Sequence, residues 1–241
     1  MPSPITAYSE PGDGFILVGD DGTWAHTVAM ATGTALADTA EDDQFCVSVR
    51  SAGWGVNYIK RAFFALKVLA AGLPADAIIT GGLFNLAESW GASAVASALV
   101  EGMQASSDAL ALEDFGSVGS VELATHVATW EEGINTYVLN AAGLAYANAH
   151  KDLMKFAVRE YASDFGGATP ADDVTHGFGI KFSEYSGGDH AAWPNAVFTY
   201  TVPDLASAPI ACNAHLRITA DTTARMSYGA EPVRVILEAG E

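Results

Sequence analysis

The chain has 241 residues, half of them hydrophobic and 17% charged, which is enough apolar material for one large core and too little charge for a disordered chain. With 29 acidic against 11 basic residues the formal net charge is −18. Such a surface repels nucleic acid and anionic lipid by Coulomb force, which argues against both as partners, and it suits cations, calcium included.

Taken in chain order, the sequence reads as short strands between glycine and proline turns. Residues 1–11 are expected to form an N-terminal arm. Met1-Pro-Ser-Pro-Ile-Thr6 offers no basic stretch followed by an apolar one, so no secretory signal is expected. Phe15-Ile-Leu-Val18 is a buried-strand run, and Asp20-Asp21-Gly22 a tight turn. Phe45, Val47 and Val49 alternate with Cys46, Ser48 and Arg50, predicting a strand over 45–50. Further strands are predicted at 58–66 and 78–86. Leu73-Pro74-Ala75-Asp76-Ala77 makes a turn between them, and Gly81-Gly82 a bulge or close approach.

The stretch from Ser89 to Phe115 is rich in Ala and Ser, with Val95, Leu99 and Met103 at helical spacing, which predicts a short helical insertion near 93–103. Tyr137–Asn140 reads as a strand entering a helical turn at Ala141–Asn148. Strands follow at 155–159, 178–184 and 196–202, with a polar loop from Asp164 to His176. Phe156, Val158, Phe198 and Tyr200 stand at period two and are expected to face the core. Pro203 to Pro209 reads as a linker. Beyond it, alternation at Leu216–Ile218 and Val233–Leu237 predicts a C-terminal β extension, either padding the main domain or gripping a neighbour. The expected architecture is all-β: a jelly-roll β-sandwich over 12–202 with a short helical insertion, then a linker and β extension over 203–241.

Signals for catalysis are missing. The chain has no Gly-x-Ser-x-Gly, no His-Glu-x-x-His, no phosphate-binding loop and no dinucleotide fingerprint. The six histidines do not fall at metal-ligand spacing. Acidic neighbours such as Glu41-Asp42-Asp43, Glu113-Asp114, Glu131-Glu132 and Asp172-Asp173 are adjacent residues, whereas a hydrolase needs two carboxylates roughly 5–10 Å apart across a cleft. The chain is therefore read as a non-enzyme that requires no cofactor. Loop acids Asp20, Asp21, Asp172 and Asp173 are candidates for structural calcium, although no EF-hand spacing occurs. Cys46 and Cys212 sit in strand-like runs and are read as buried thiols. A disulfide would need Cα atoms within about 7 Å. Trp54, between two glycines, and Trp193, before Pro194, are candidates for stacking on a glycan, against the plainer reading that aromatics cap the core. Arg61 and Arg159 lie inside β-rich runs, where a charge needs an acidic or carbonyl partner, and are expected to be structural.

Three segments in order resemble the DNRLRE-like β-sandwich family: Arg61-Ala-Phe-Phe-Ala-Leu66 with Gly72–Leu86; Leu139–Tyr146 with Lys155–Arg159 and Asp164; and Ile180–Gly187 with Pro194 and Phe198–Thr201. The likeness spans about residues 12–202. Where the family pattern has Phe-Asp-Thr-Ser before its Leu-Pro turn, this chain has Ala65-Leu66-Lys67-Val68. The resemblance implies a fold similar to carbohydrate-binding modules of the jelly-roll kind, with arginine at positions 61 and 159. Such domains also recur as stand-alone proteins of tailed phages. It therefore implies a virion protein, assembled in the host cytoplasm, whose partners are capsid or tail subunits and further copies of itself. Within that reading a capsid decoration or cement protein is expected, because no heptad or collagen-like repeat suggests a fibre shaft. The alternatives are a tail-fibre or tail-tip protein recognising a host surface glycan, and a free carbohydrate-binding module.

Overall fold

A computed structural model describes residues 3–37, 46–51, 55–89, 95–173, 175–183 and 192–203. Among these residues two antiparallel sheets make an all-β sandwich. The smaller is four-stranded, in the order β1 (Ile5–Tyr8), β12 (Asn195–Thr201), β6 (Ile78–Ala87), β9 (Ile134–Val138). The larger is eight-stranded and is built around the long strand β5 (Val56–Leu66). One edge of β5 pairs with β2 (Gly14–Asp20), to which the short β3 (Ala35–Ala37) adds. Its other edge is shared: β4 (Cys46–Ser51) pairs with its first half and β10 (Met154–Glu160) with its second. Beyond β10 lie β7 (Ser97–Gly102) and β8 (Val118–Glu122), and β11 (Thr175–Phe178) pairs with the outer edge of β4.

Both faces of the larger sheet are covered. The face toward the smaller sheet carries Ala62, Phe64, Leu66, Leu99, Phe156 and Val158, which meet Phe84, Leu86, Tyr137 and Phe198 from across the sandwich. Phe84 lies 5.0 Å from Phe156 and 5.5 Å from Phe64, ring centre to ring centre. A hydrogen bond of 2.6 Å between Ser97 and the Tyr137 hydroxyl ties the layers together. The opposite face carries Ile16, Val18, Ile59, Phe63, Ala98, Val100 and Ala157. It is roofed by Trp24 of α1 (Trp24–Val28) and by Phe115 of a 3-10 turn (Leu112–Gly116). Phe156, Val158 and Phe198 are fully buried, and Tyr200 packs half-buried at the margin of the inter-sheet core.

Double coverage explains a difference from the sequence reading. The helix expected near 93–103 is instead β7. Its Ala98, Leu99 and Val100 are all buried because both sides of the strand face apolar material, and that continuous run erases the alternation by which a strand is recognised. The longest helix among the described residues is α2 (Ala141–Ala149), at the place of the helical turn that the sequence predicts. Asn140 caps it by accepting from the Gly143 N–H at 3.0 Å. Gly143 admits close packing: a Cβ there would stand 1.9 Å from the Leu123 carbonyl oxygen. At the far end of α2, Asn148 accepts from the Ile79 N–H and donates to the Ile79 carbonyl, both at 2.9 Å, closing the start of β6.

Other expectations shift in detail. The arm placed at residues 1–11 contains β1, which pairs with β12 from Ile5–Phe198 to Tyr8–Asn195. The strand expected at 178–184 lies earlier, as β11, with a single bridge from Ile180 to Glu88. The register of β6 against β12 skips Thr80, placing a bulge beside Gly81-Gly82, where a Cβ on Gly82 would meet Leu139 at 2.7 Å. The expected linker and β extension after Pro203, with Cys212, lie outside the described residues, as do Trp54 and the side chain of Cys46. No helix among the described residues is long and apolar enough to cross a membrane.

Candidate functional site

The register of the larger sheet brings two arginines together. Val158 pairs with Ala62, so the next residues along the antiparallel ladder, Arg159 and Arg61, stand side by side on the face away from the smaller sheet. Like charges directly opposite on a sheet repel. A carboxylate resolves this: Asp164, fully buried, lies between them. Arg61 donates from Nε to Asp164 Oδ2 at 3.0 Å and from Nη2 to Oδ1 at 2.6 Å. Arg159 donates from Nε to Oδ2 at 3.1 Å, and from Nη2 to Oδ1 at 2.8 Å and to the Asp164 carbonyl at 2.6 Å. Each guanidinium thus meets the carboxylate side-on through two nitrogens.

The turn after β10 positions the carboxylate. Expected as the start of a polar loop, Asp164 lies in a single π-helical turn (Tyr161–Phe165), closed by the Gly166 N–H to the Tyr161 carbonyl at 2.8 Å. Glu160, itself buried, caps the turn by accepting from the N–H groups of Ala162, Ser163 and Asp164. Burial pushes the Asp164 carboxyl up, but the charges of Arg61 and Arg159 and their hydrogen bonds together outweigh it and hold the group down at about 2.

Around this triad the donors are mostly engaged. Arg61 also donates from Nη1 to the Phe115 carbonyl at 2.7 Å and from Nη2 to the Val28 carbonyl at 3.0 Å, and its guanidinium lies 4.0 Å from the centre of the Phe115 ring. Arg159 lies 5.5 Å from the centre of the Phe165 ring. Its Nη1 has no hydrogen-bond partner among the described residues. Above the two arginines opens a pocket of about 450 Å³, walled by Val28–Ala31 from the end of α1 and by Glu113 and Gly116–Val118 from the 3-10 turn and the start of β8.

A second surface stands out for its chemistry. Not one residue of the four strands of the smaller sheet is charged. Its outward positions form cross-strand rows. In one, Val138, Leu83, Val197 and Thr6 are neighbours; in the next, Thr136, Asn85, Asn195 and Tyr8. The Thr136 hydroxyl donates to Asn85 at 2.8 Å, and the Asn85 amide to Asn195 at 3.0 Å. Ile78, Leu83, Ile134, Val138 and Tyr8 are each 39% exposed or more.

The acidic candidates for calcium are placed apart from both features. The Asp20 carboxylate is engaged by the His26 ring at 2.9 Å and the Thr27 hydroxyl at 3.1 Å; its hydrogen bond from His26 leads in holding its pKa below the usual value. Asp21 is exposed, and Asp172 and Asp173 are exposed on the segment before β11. Among the described residues no three His, Cys, Asp or Glu side chains come together as a metal site. Trp193 is half-buried beside the start of β12, and its carbonyl accepts from the Asn195 amide. Trp24 and Trp130 are core residues, Trp130 stacked on Phe178 at 4.2 Å.

Sequence reasoning missed Asp164 and Glu160 as parts of this site. The available signal was two arginines in neighbouring strand runs with an acid five residues after the second, a spacing that only the π turn converts into contact. No family model and no curated protein matches this chain.

Proposed function

We propose that the protein is a non-enzymatic assembly component on the surface of a tailed-phage particle, a capsid decoration protein that docks on the shell through the outer face of the smaller sheet. The carrying observation is the absence of charge from all four strands of that sheet, in a chain with 29 acidic and 11 basic residues. An exposed sheet normally carries charge for solubility and to prevent edge pairing. Its omission here, with Val138, Leu83 and Val197 aligned in one row, suits a face covered by another protein. The phage setting rests on the DNRLRE-like resemblance of the three segments and on the stand-alone phage proteins of that family. The Arg61–Asp164–Arg159 triad serves the fold in this reading.

The test is co-sedimentation of the protein with intact particles, comparing the native chain with Leu83→Lys and Val138→Lys. Exposed substitutions of this kind shift stability by about 0.5 kcal/mol or less, so both variants should melt like the native protein yet fail to sediment with particles. Undiminished sedimentation by both variants rejects the face. A protein that never sediments with particles rejects the virion role.

The row of Tyr8, Asn195, Asn85 and Thr136 favours one alternative, a tail-tip protein reading a host glycan, since a phenol beside amides and hydroxyls is the chemistry that meets a sugar. Binding on a glycan array, abolished by Tyr8→Ala, selects that reading over decoration.

A further inference from the structure

The larger sheet buries two guanidiniums against one carboxylate. Among the described residues, the ion pairs of Arg61 and Arg159 run only to Asp164, and the buried Glu160 carboxylate is spent on the N–H groups of the π turn. A buried guanidinium nitrogen left without an acceptor is costly, and that cost is lowered by a ligand oxygen or by water. The aromatic faces of Phe115 and Phe165 offset part of it. The rest is directed at the pocket. Arg159 is 8% exposed, lines the pocket, and uses Nε and Nη2 on Asp164, while Nη1 donates to nothing among the described residues. Arg61 lines the same pocket and has a single hydrogen bond from its Nη1.

We propose that this pocket binds a small organic carboxylate, its oxygens on the Nη1 edge of Arg159 and its apolar body against Val28, Met30 and Val118. Three features fix that class. The unpartnered Nη1 edge of Arg159 selects an acceptor, and its guanidinium charge favours an anionic one. The side-wall residues other than Glu113 and Ser117 are apolar or glycine, which disfavours a fully hydrated ion such as inorganic phosphate and favours a ligand with a hydrocarbon part. The volume of about 450 Å³ lies within the range of small-molecule sites and exceeds the needs of a single ion. Glu113, exposed at the rim, repels an incoming anion and tunes the affinity downward. This site lies on the larger sheet and is independent of the docking face.

The experiment is calorimetric titration of the full chain with benzoate as the probe, and with benzamide and inorganic phosphate as controls. Benzoate should bind saturably with a dissociation constant on the order of 1 mM, the scale of one charged contact plus a small buried ring. Benzamide, the same shape without the charge, should bind about tenfold more weakly or not at all. Glu113→Gln should tighten benzoate by about threefold, the scale of one exposed charge interaction. Ser117→Trp, which fills the pocket from a half-buried position without touching the triad, should abolish binding with the melting temperature retained. The proposal is overturned if benzoate does not bind, if benzamide or phosphate binds equally well, or if Ser117→Trp leaves the affinity unchanged.

Discussion

The two cores on either side of the larger sheet are built on different physics. Between the sheets, aromatic and aliphatic side chains interdigitate, and the Ser97–Tyr137 hydrogen bond joins two uncharged partners. On the outer face, a smaller apolar cluster surrounds an ion triad whose carboxylate is fully buried. The inter-sheet core is non-directional and gains stability roughly in proportion to the area removed from water. The triad is directional, and little net stability follows from it, because desolvation of three charges offsets their attraction. It fixes instead which residues meet: it ties β5 to β10 at the point where β4 gives way to β10, and anchors the π turn and the end of α1 to both.

That contrast can be broken in a definite order. Asp164→Ala leaves two buried guanidiniums facing each other, and should cost about 5 kcal/mol in urea unfolding. A loss below about 1 kcal/mol would mean that water reaches the arginines. Phe198→Ala, in the inter-sheet core, should cost about 4 kcal/mol through lost burial and a cavity; an unchanged melting temperature would show that β12 does not present that face inward. The two cores should also differ toward acid. The Asp164 carboxyl sits at about 2, below its ordinary 3.8, so its contribution is complete above pH 4 and is lost as pH falls through 2. About 2 kcal/mol should disappear across that window, and the part due to Asp164 should be absent from an Asp164→Asn variant. A loss centred near pH 6 instead would point to a histidine.

The sharpest comparison replaces the whole triad. A variant carrying Arg61→Met, Asp164→Leu and Arg159→Met should change stability by only about 1 kcal/mol, in the favourable direction if the side chains repack. If it unfolds, the charges supply stability as well as specificity. The same variant should lose benzoate binding, since no cation remains at the pocket floor.

Much of the sandwich was legible because most of its strands keep one simple pattern. Phe156 and Val158 in β10, and Phe198 in β12, announce a buried face by period two, and the Asp20–Gly22 and Leu73–Ala77 turns are written in residues that bend the chain. Strand β7 was misread as helix because Ala98, Leu99 and Val100 are all covered. The same double coverage concealed the site. The requirement that Arg61 and Arg159 find partners could be argued from the cost of a buried charge, but the partner sits in a segment whose composition, Ser163-Asp164 before Gly166-Gly167, reads as a solvent loop.

By itself, then, the sequence determined the class of fold, the acidic surface and the strands that carry an arginine, since each depends on composition or on neighbours within a few residues. Tertiary structure decided which arginines meet, that Asp164 is buried between them, that a pocket opens above, and that four uncharged strands share one face. These are matters of register and layering, set by pairings between residues as far apart as Ile5 and Phe198, and local physical chemistry does not encode distances of that kind.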